Sequence, residues 1–140
     1  MSRRFHKRVI IGDYEYYTTG HGSYSVQVVD KTKEEYGAIL SEIDGVPVTS
    51  LSCCFAGCVN MVESPRIPRS AKTMIDTYHG CRSMRKPAIL PPGVKVLTGC
   101  YSECVSMEIP PDIPRSVIVM SGCFDGCNFE YDYKNRKAVI

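Results

Sequence analysis

Four cysteines, Cys58, Cys81, Cys104 and Cys127, follow one another at a spacing of 23 residues, and their surroundings repeat with them. An aromatic stands three residues before each (Phe55, Tyr78, Tyr101, Phe124), and a large aliphatic four before that (Leu51, Met74, Leu97, Met120). A small or β-branched residue comes three earlier still (Val48, Ala71, Val94, Val117). After the first three cysteines come Met61, Met84 and Met107, then Ile67-Pro68, Leu90-Pro91 and Ile113-Pro114. Self-similarity at a fixed period of about 20–50 residues marks a solenoid, because one copy cannot bury its apolar side alone and does so against its neighbours. Chemistry must then be sought in whatever the repeat leaves over.

Within one coil the positions have separate physical roles. The stretch Val94–Leu97 and its equivalents are short and β-rich, as a parallel rung requires. The aromatic and the cysteine that follow are three apart, which predicts one tight helical turn with both side chains inward. Gly57, Gly80 and Gly126 precede three of the cysteines and let the chain turn, while the third copy has Glu103 there. Each Met opens a second extended piece, and Pro68, Pro91 and Pro114 force an extended corner that excludes a long helix. The expectation is a repeat solenoid of short parallel β-rungs with one helical turn per coil, an α/β fold.

The ends depart from the repeat. Residues 8–30 alternate as Tyr14, Tyr16, Thr18 and then Tyr24, Val26, Val28 around Gly20-His21-Gly22-Ser23, which reads as a β-hairpin. Residues 31–38 are polar and read as a loop or short helical turn. The tail, 130–140, with Tyr131 and Tyr133, a Lys134-Asn135 turn and Ala138-Val139-Ile140, reads as a closing strand or hairpin. The organisation expected is an N-terminal β-hairpin cap at 1–38, four coils at 39–129 and a C-terminal cap at 130–140, all in one structural domain. Solenoids need such end pieces because their outermost coils would otherwise expose core and strand edge.

The strings SCCFAGCVNM, DTYHGCRSM, GCYSECVSM and SGCFDGCNF, joined by RIPRS, LPPG and IPRS after the lead-in SEIDGVPVTSL, resemble the leucine-rich repeat of the bacterial BspA-like surface proteins. The likeness covers about residues 39–129. It implies a leucine-rich repeat fold and a role in binding. Four copies are read, and the expectation is a chain without the secretion signal or wall-anchoring tail of that family.

Seven of the eight cysteines fall in the repeat register, Cys54, Cys100 and Cys123 just before the aromatic, where the second copy has Thr77; Cys53 stands outside it. Free cysteine packs as a small hydrophobe, so the ladder reads as inward pegs rather than a disulfide or zinc framework. Cys-x-x-x-Cys at 54/58, 100/104 and 123/127 has no histidine pair to complete a zinc site. His79 and Cys81 are the one nucleophile–base pattern, but His79 occupies the slot of Ala56, Ser102 and Asp125, and Cys81 is inward. His6 and His21 are isolated, and Gly20-x-Gly22 lacks the third glycine of a dinucleotide loop. No catalytic residue, metal site or cofactor is assigned, and the chain does not read as an enzyme.

A net charge of +2 with acids and bases interleaved argues against a nucleic-acid partner. No apolar run approaches the about 20 residues of a membrane span. The N-terminal Arg3, Arg4, Lys7, Arg8 is followed only by Val9-Ile10-Ile11, short of the about 7–15 apolar residues of a secretory leader. The expectation is a cytoplasmic chain. What remains is surface. The outward residues of the second extended piece, Val62, Glu63, Arg85, Lys86, Glu108 and Ile109, are candidate contacts for a protein partner, with Arg85 and Glu108 expected to pair across coils, and Arg69 and Arg115 form a second column near a corner. The function read from this is a non-catalytic protein–protein binding module. Two alternatives stand beside it: a phage or mobile-element inhibitor that docks on a host enzyme such as a defence nuclease, and a fragment of a bacterial surface adhesin. A homodimer formed through a strand edge is compatible with any of them.

Overall fold

A computed structural model describes residues 7–139. Arg3, Arg4, His6 and Ile140, used in the sequence reading, lie outside the described residues.

The alternation around Gly20–Ser23 produces two antiparallel strands, β2 (Tyr14–Thr18) and β3 (Tyr24–Val28), with Tyr16 opposite Val26. β1 (Arg8–Ile11) adds to β2 through a turn at Gly12, so the N-terminal element is a three-stranded meander. Tyr14, Tyr16, Tyr24, Val26 and Val28 are all buried. β4 (Glu42–Ile43) and β5 (Val46–Ser50) form a second hairpin over Asp44-Gly45, both at positive φ, the conformation that makes Asp-Gly a preferred hairpin turn. β3 pairs in parallel with β5, giving one sheet of order β1-β2-β3-β5-β4. The chain closes on a short hairpin, β6 (Tyr131–Asp132) with β7 (Lys137–Ala138).

From β5 the sheet direction continues as single parallel bridges, Ser50–Thr73, Thr73–Val96 and Val96–Val119. Each interface between coils repeats one hydrogen-bond register. The N–H groups of Leu51, Cys53, Phe55 and Gly57 donate to the carbonyls of Thr73, Ile75, Thr77 and His79, and the same four bonds recur one and two periods later.

That register explains why the expected helical turn is not found: no helix occurs among the described residues. Alternate N–H groups in the aromatic–x–x–Cys segment are committed to the next coil. Only the intervening residues, such as Cys54, Ala56 and Cys58, donate back three residues to Leu51, Cys53 and Phe55. A helix needs consecutive donors, so the segment is a run of tight turns instead.

Two residues per coil hold these turns at positive φ. One column is Gly57, Gly80, Glu103 and Gly126; the other is Cys53, Asp76, Gly99 and Gly122. Cys53, outside the inward register, thus has a register of its own, signalled in the sequence by Gly99 and Gly122 at equivalent positions. Left-handed backbone costs an ordinary residue roughly 1–2 kcal/mol, partly offset by the entropy that glycine loses on folding. Glu103→Gly is therefore expected to raise the unfolding free energy by about 0.5–1 kcal/mol in denaturant titration; an unchanged or lower value would contradict the strain assigned to this turn.

The core is a column of rings. Phe55, Tyr78, Tyr101 and Phe124 stack at centroid separations of 5.5, 5.0 and 5.7 Å, with planes within 13° of parallel. Leu51, Met74 and Leu97, and Met61, Met84 and Met107, are fully buried beside it. The two ends of the column are covered by different means. Tyr14 and Tyr36 set their edges against Phe55. At the other end Phe129, Tyr131 and Tyr133 lie against Phe124. There Tyr133 Oη accepts the Phe124 N–H, a donor that in earlier coils is taken by the next rung. Arg136 donates to the Val117 carbonyl, the slot that Ser116 fills on Val94.

Candidate functional site

The thiols of the repeat register are part of the packing, while Cys53 is exposed. Cys54, Cys58, Cys81, Cys100, Cys104 and Cys123 are fully buried. Cys81, Cys104 and Cys127 each donate a thiol hydrogen bond to the carbonyl of the aromatic one coil back, Phe55, Tyr78 and Tyr101, at 3.0–3.1 Å. Thr77, the one non-cysteine in its column, donates to the Leu51 carbonyl at 2.9 Å. Burial pushes the Cys81 thiol up to about 12 and Cys123 to about 12, and raises Cys54, Cys100 and Cys104 strongly. A nucleophilic cysteine needs the opposite shift. His79, exposed, lies near Asp76 at 3.9 Å and not over the Cys81 thiol, which is engaged with Phe55. Among the described residues no three His, Cys, Asp or Glu side chains gather as a metal site.

The eight surface residues singled out by register are all exposed, but they do not form one patch. Arg85, Lys86, Glu108 and Ile109 converge on a groove of about 760 Å³, completed by Pro87, Val105, Ser106, Pro110 and Asn128. Val62 and Glu63 line a separate depression with Glu34, Glu35 and Tyr36. Arg69 lines a third with Glu63 and the Pro87–Pro92 corner. Arg115 occupies the second position of a turn closed by the Val117 N–H on the Pro114 carbonyl, equivalent to Arg69 two coils earlier.

The backbone accounts for the groove. Glu63 and Lys86 form a parallel bridge, and the Arg85 N–H donates to the Val62 carbonyl. The corresponding bridge from Lys86 to Ile109 is absent among the described residues, so the second ladder opens between the second and third coils. Pro110 follows Ile109 and has no N–H to offer. The expected Arg85–Glu108 ion pair does not form; the two face one groove without meeting, because the rungs that would bring them to strand spacing are not paired. Ile109 is 73% exposed in this opening.

The register reading missed the other outward column. Thr49, Lys72, Lys95 and Ile118 occupy equivalent positions on the longer ladder, and Lys72, Lys95 and Ile118 each donate to the carbonyl of the preceding member at 2.8–2.9 Å. Its signal was available in the spacing of 23, but lysine on a rung is ordinary solvated surface until its neighbours are known.

No family model matches the chain, and no curated protein does. Among solved structures it is similar to a leucine-rich repeat protein from Bacteroides ovatus, with 19% identity, a TM-score of 0.65, and coverage of 89% of this chain and 34% of that one. It is also similar to the leucine-rich repeat protein of T. pallidum, with 21% identity, a TM-score of 0.57, and coverage of 85% and 67%. The chain thus spans about a third of the first protein's length and two thirds of the second's. No helix among the described residues is long and apolar enough to cross a membrane.

Proposed function

Proceeding from a leucine-rich repeat fold, we propose that this chain is a non-catalytic protein-binding module that receives a partner side chain in the groove at Arg85, Lys86, Glu108 and Ile109. The BspA-like resemblance points the same way. The observation that carries the reading is the opening of the second ladder, which leaves an apolar residue, Ile109, unpaired between two cations and a carboxylate. Such an arrangement offers an apolar centre with a polar rim, the anatomy of an interface that binds by one buried anchor. The repeat-register thiols, buried or half-buried and raised by burial, lend no support to a catalytic alternative.

The test is affinity capture from the source cell with wild-type, Ile109→Asp and Arg85→Glu baits. Recovery of a specific partner is expected to fall at least about tenfold with Ile109→Asp, since a charge placed at a desolvated anchor costs more than about 1.4 kcal/mol. Both variants should melt within a few degrees of wild type, because both sites are exposed. Equal recovery on all three baits, or no stable partner at all, would remove this groove as the contact.

A further inference from the structure

We propose a second contact surface on this chain: the outward column Lys72–Lys95–Ile118 binds an extended acidic protein segment that presents on one face two carboxylates followed by an apolar residue. It stands on observations independent of the groove.

Lys72 and Lys95 sit on adjacent rungs, joined by the Lys95 N–H to Lys72 carbonyl bond at 2.8 Å. Both are exposed, and among the described residues neither has a carboxylate within ion-pairing distance. Like charges directly opposite on neighbouring strands destabilise a sheet, so the fold gains nothing from this pair by itself. The surroundings add to the positive field. The corner segments that lead into these rungs carry Arg66, Arg69 and Arg115 with Glu63 and Asp112, whereas the turn edge of the coils carries Asp76, Glu103 and Asp125 with Arg82. The two sides of the coil therefore lean to opposite signs.

Two further features give the column a shape. Gly93 shows no left-handed φ, so its backbone does not require glycine. A β-carbon there would lie 2.7 Å from Lys72 Nζ, so the Lys72 ammonium lies over the next coil's corner at Gly93. The fourth member of the column, Ile118, is 73% exposed, and Val119 beside it is 42% exposed. Two unpaired cations followed by a bare isoleucine stand on successive rungs, about 4.8 Å apart. The lysine stems can take up the difference from the about 6.7 Å between same-face residues of an extended strand, so the column suits a strand whose same-face residues are acid, acid, apolar. Charge complementarity favours such a peptide over nucleic acid, which has no use for Ile118 and Val119 and would meet the acidic turn edge on wrapping the coil.

The experiment is fluorescence anisotropy with a labelled peptide of the pattern Glu-Thr-Glu-Thr-Leu, at low and at physiological ionic strength. Duplex DNA of similar charge and vesicles containing phosphatidylserine serve as competing probes. Saturable, salt-sensitive binding of the peptide is expected, weakened at least about tenfold by Lys72→Glu with Lys95→Glu and severalfold by Ile118→Ser. Arg85→Glu with Lys86→Glu should leave it unchanged, which separates this surface from the groove. If the charge-reversed pair does not melt like wild type, Lys72→Gln with Lys95→Gln carries the same comparison. The proposal is overturned by absence of saturable peptide binding, by equal loss in the two double variants, or by tighter retention of DNA or vesicles than of peptide.

Discussion

Raising the pH past about 9 under reducing conditions is expected to unfold this domain cooperatively, with the midpoint near about pH 10. Cys54, Cys81, Cys100, Cys104 and Cys123 are fully buried, and burial holds each thiol above its ordinary value of 9.0. A thiol whose native value is raised keeps its proton when the unfolded chain has lost it. Its stabilising effect is complete below about 9 and is lost as pH climbs toward the native value, about 12 for Cys81 and Cys123. At about pH 10 each such thiol has cost about 1.4 kcal/mol, so five remove about 7 kcal/mol. Typical domains have about 5–15 kcal/mol in total. Tyr78 and Tyr101, raised by the same burial, steepen the loss. Near-UV circular dichroism and tyrosinate absorbance should change together and recover on return to neutral pH. Retention of the native signal at about pH 12 would show that the thiol column is not closed to solvent as described.

Tyr101→Ala is expected to destabilise the chain by about 3–5 kcal/mol and to lower its melting temperature by about 10–20 °C. The ring lies between Tyr78 and Phe124 and is fully buried, so its removal opens a cavity in the middle of the column. The hydroxyl behaves differently from the ring. Tyr78 Oη lies 2.6 Å from Ser64 Oγ, whereas Tyr101 Oη is buried without a partner among the described residues. The register gives the reason: the residue equivalent to Ser64 one coil on is Pro87, which has no polar side chain. Tyr101→Phe should then stabilise by about 1 kcal/mol, and Tyr78→Phe should destabilise by about 1 kcal/mol, because only the second breaks a hydrogen bond. The same sign for both in denaturant titration would refute the assignment.

The period made most of the architecture legible in the residues alone. Val48, Leu51, Phe55, Cys58 and Met61 read as inward from spacing, and all five are fully buried. β2 and β3 were legible from alternation, because alternation is a local property of the chain, whereas β1, the run Arg8–Ile11, was not read as a strand. The helical turn was not, since its spacing of three is shared by a helix and by a tight turn, and the choice fell to N–H groups bonding 22 residues ahead. The eight surface residues were legible as exposed but not as a site. Arg85, Lys86, Glu108 and Ile109 share a groove only because one rung of the second ladder fails to pair, and no residue type announces that failure.

A repeat of 23 residues with an apolar peg at fixed offsets leaves a chain of this length one economical way to bury them, by stacking its copies; sequence was enough for that. It could not say which carbonyl each thiol would meet, that Cys53 and Asp76 would share a left-handed turn with Gly99 and Gly122, or that Lys72 would lie over Gly93. Those relations join atoms one coil apart, and they exist only once the register between coils has been set by the backbone hydrogen bonds.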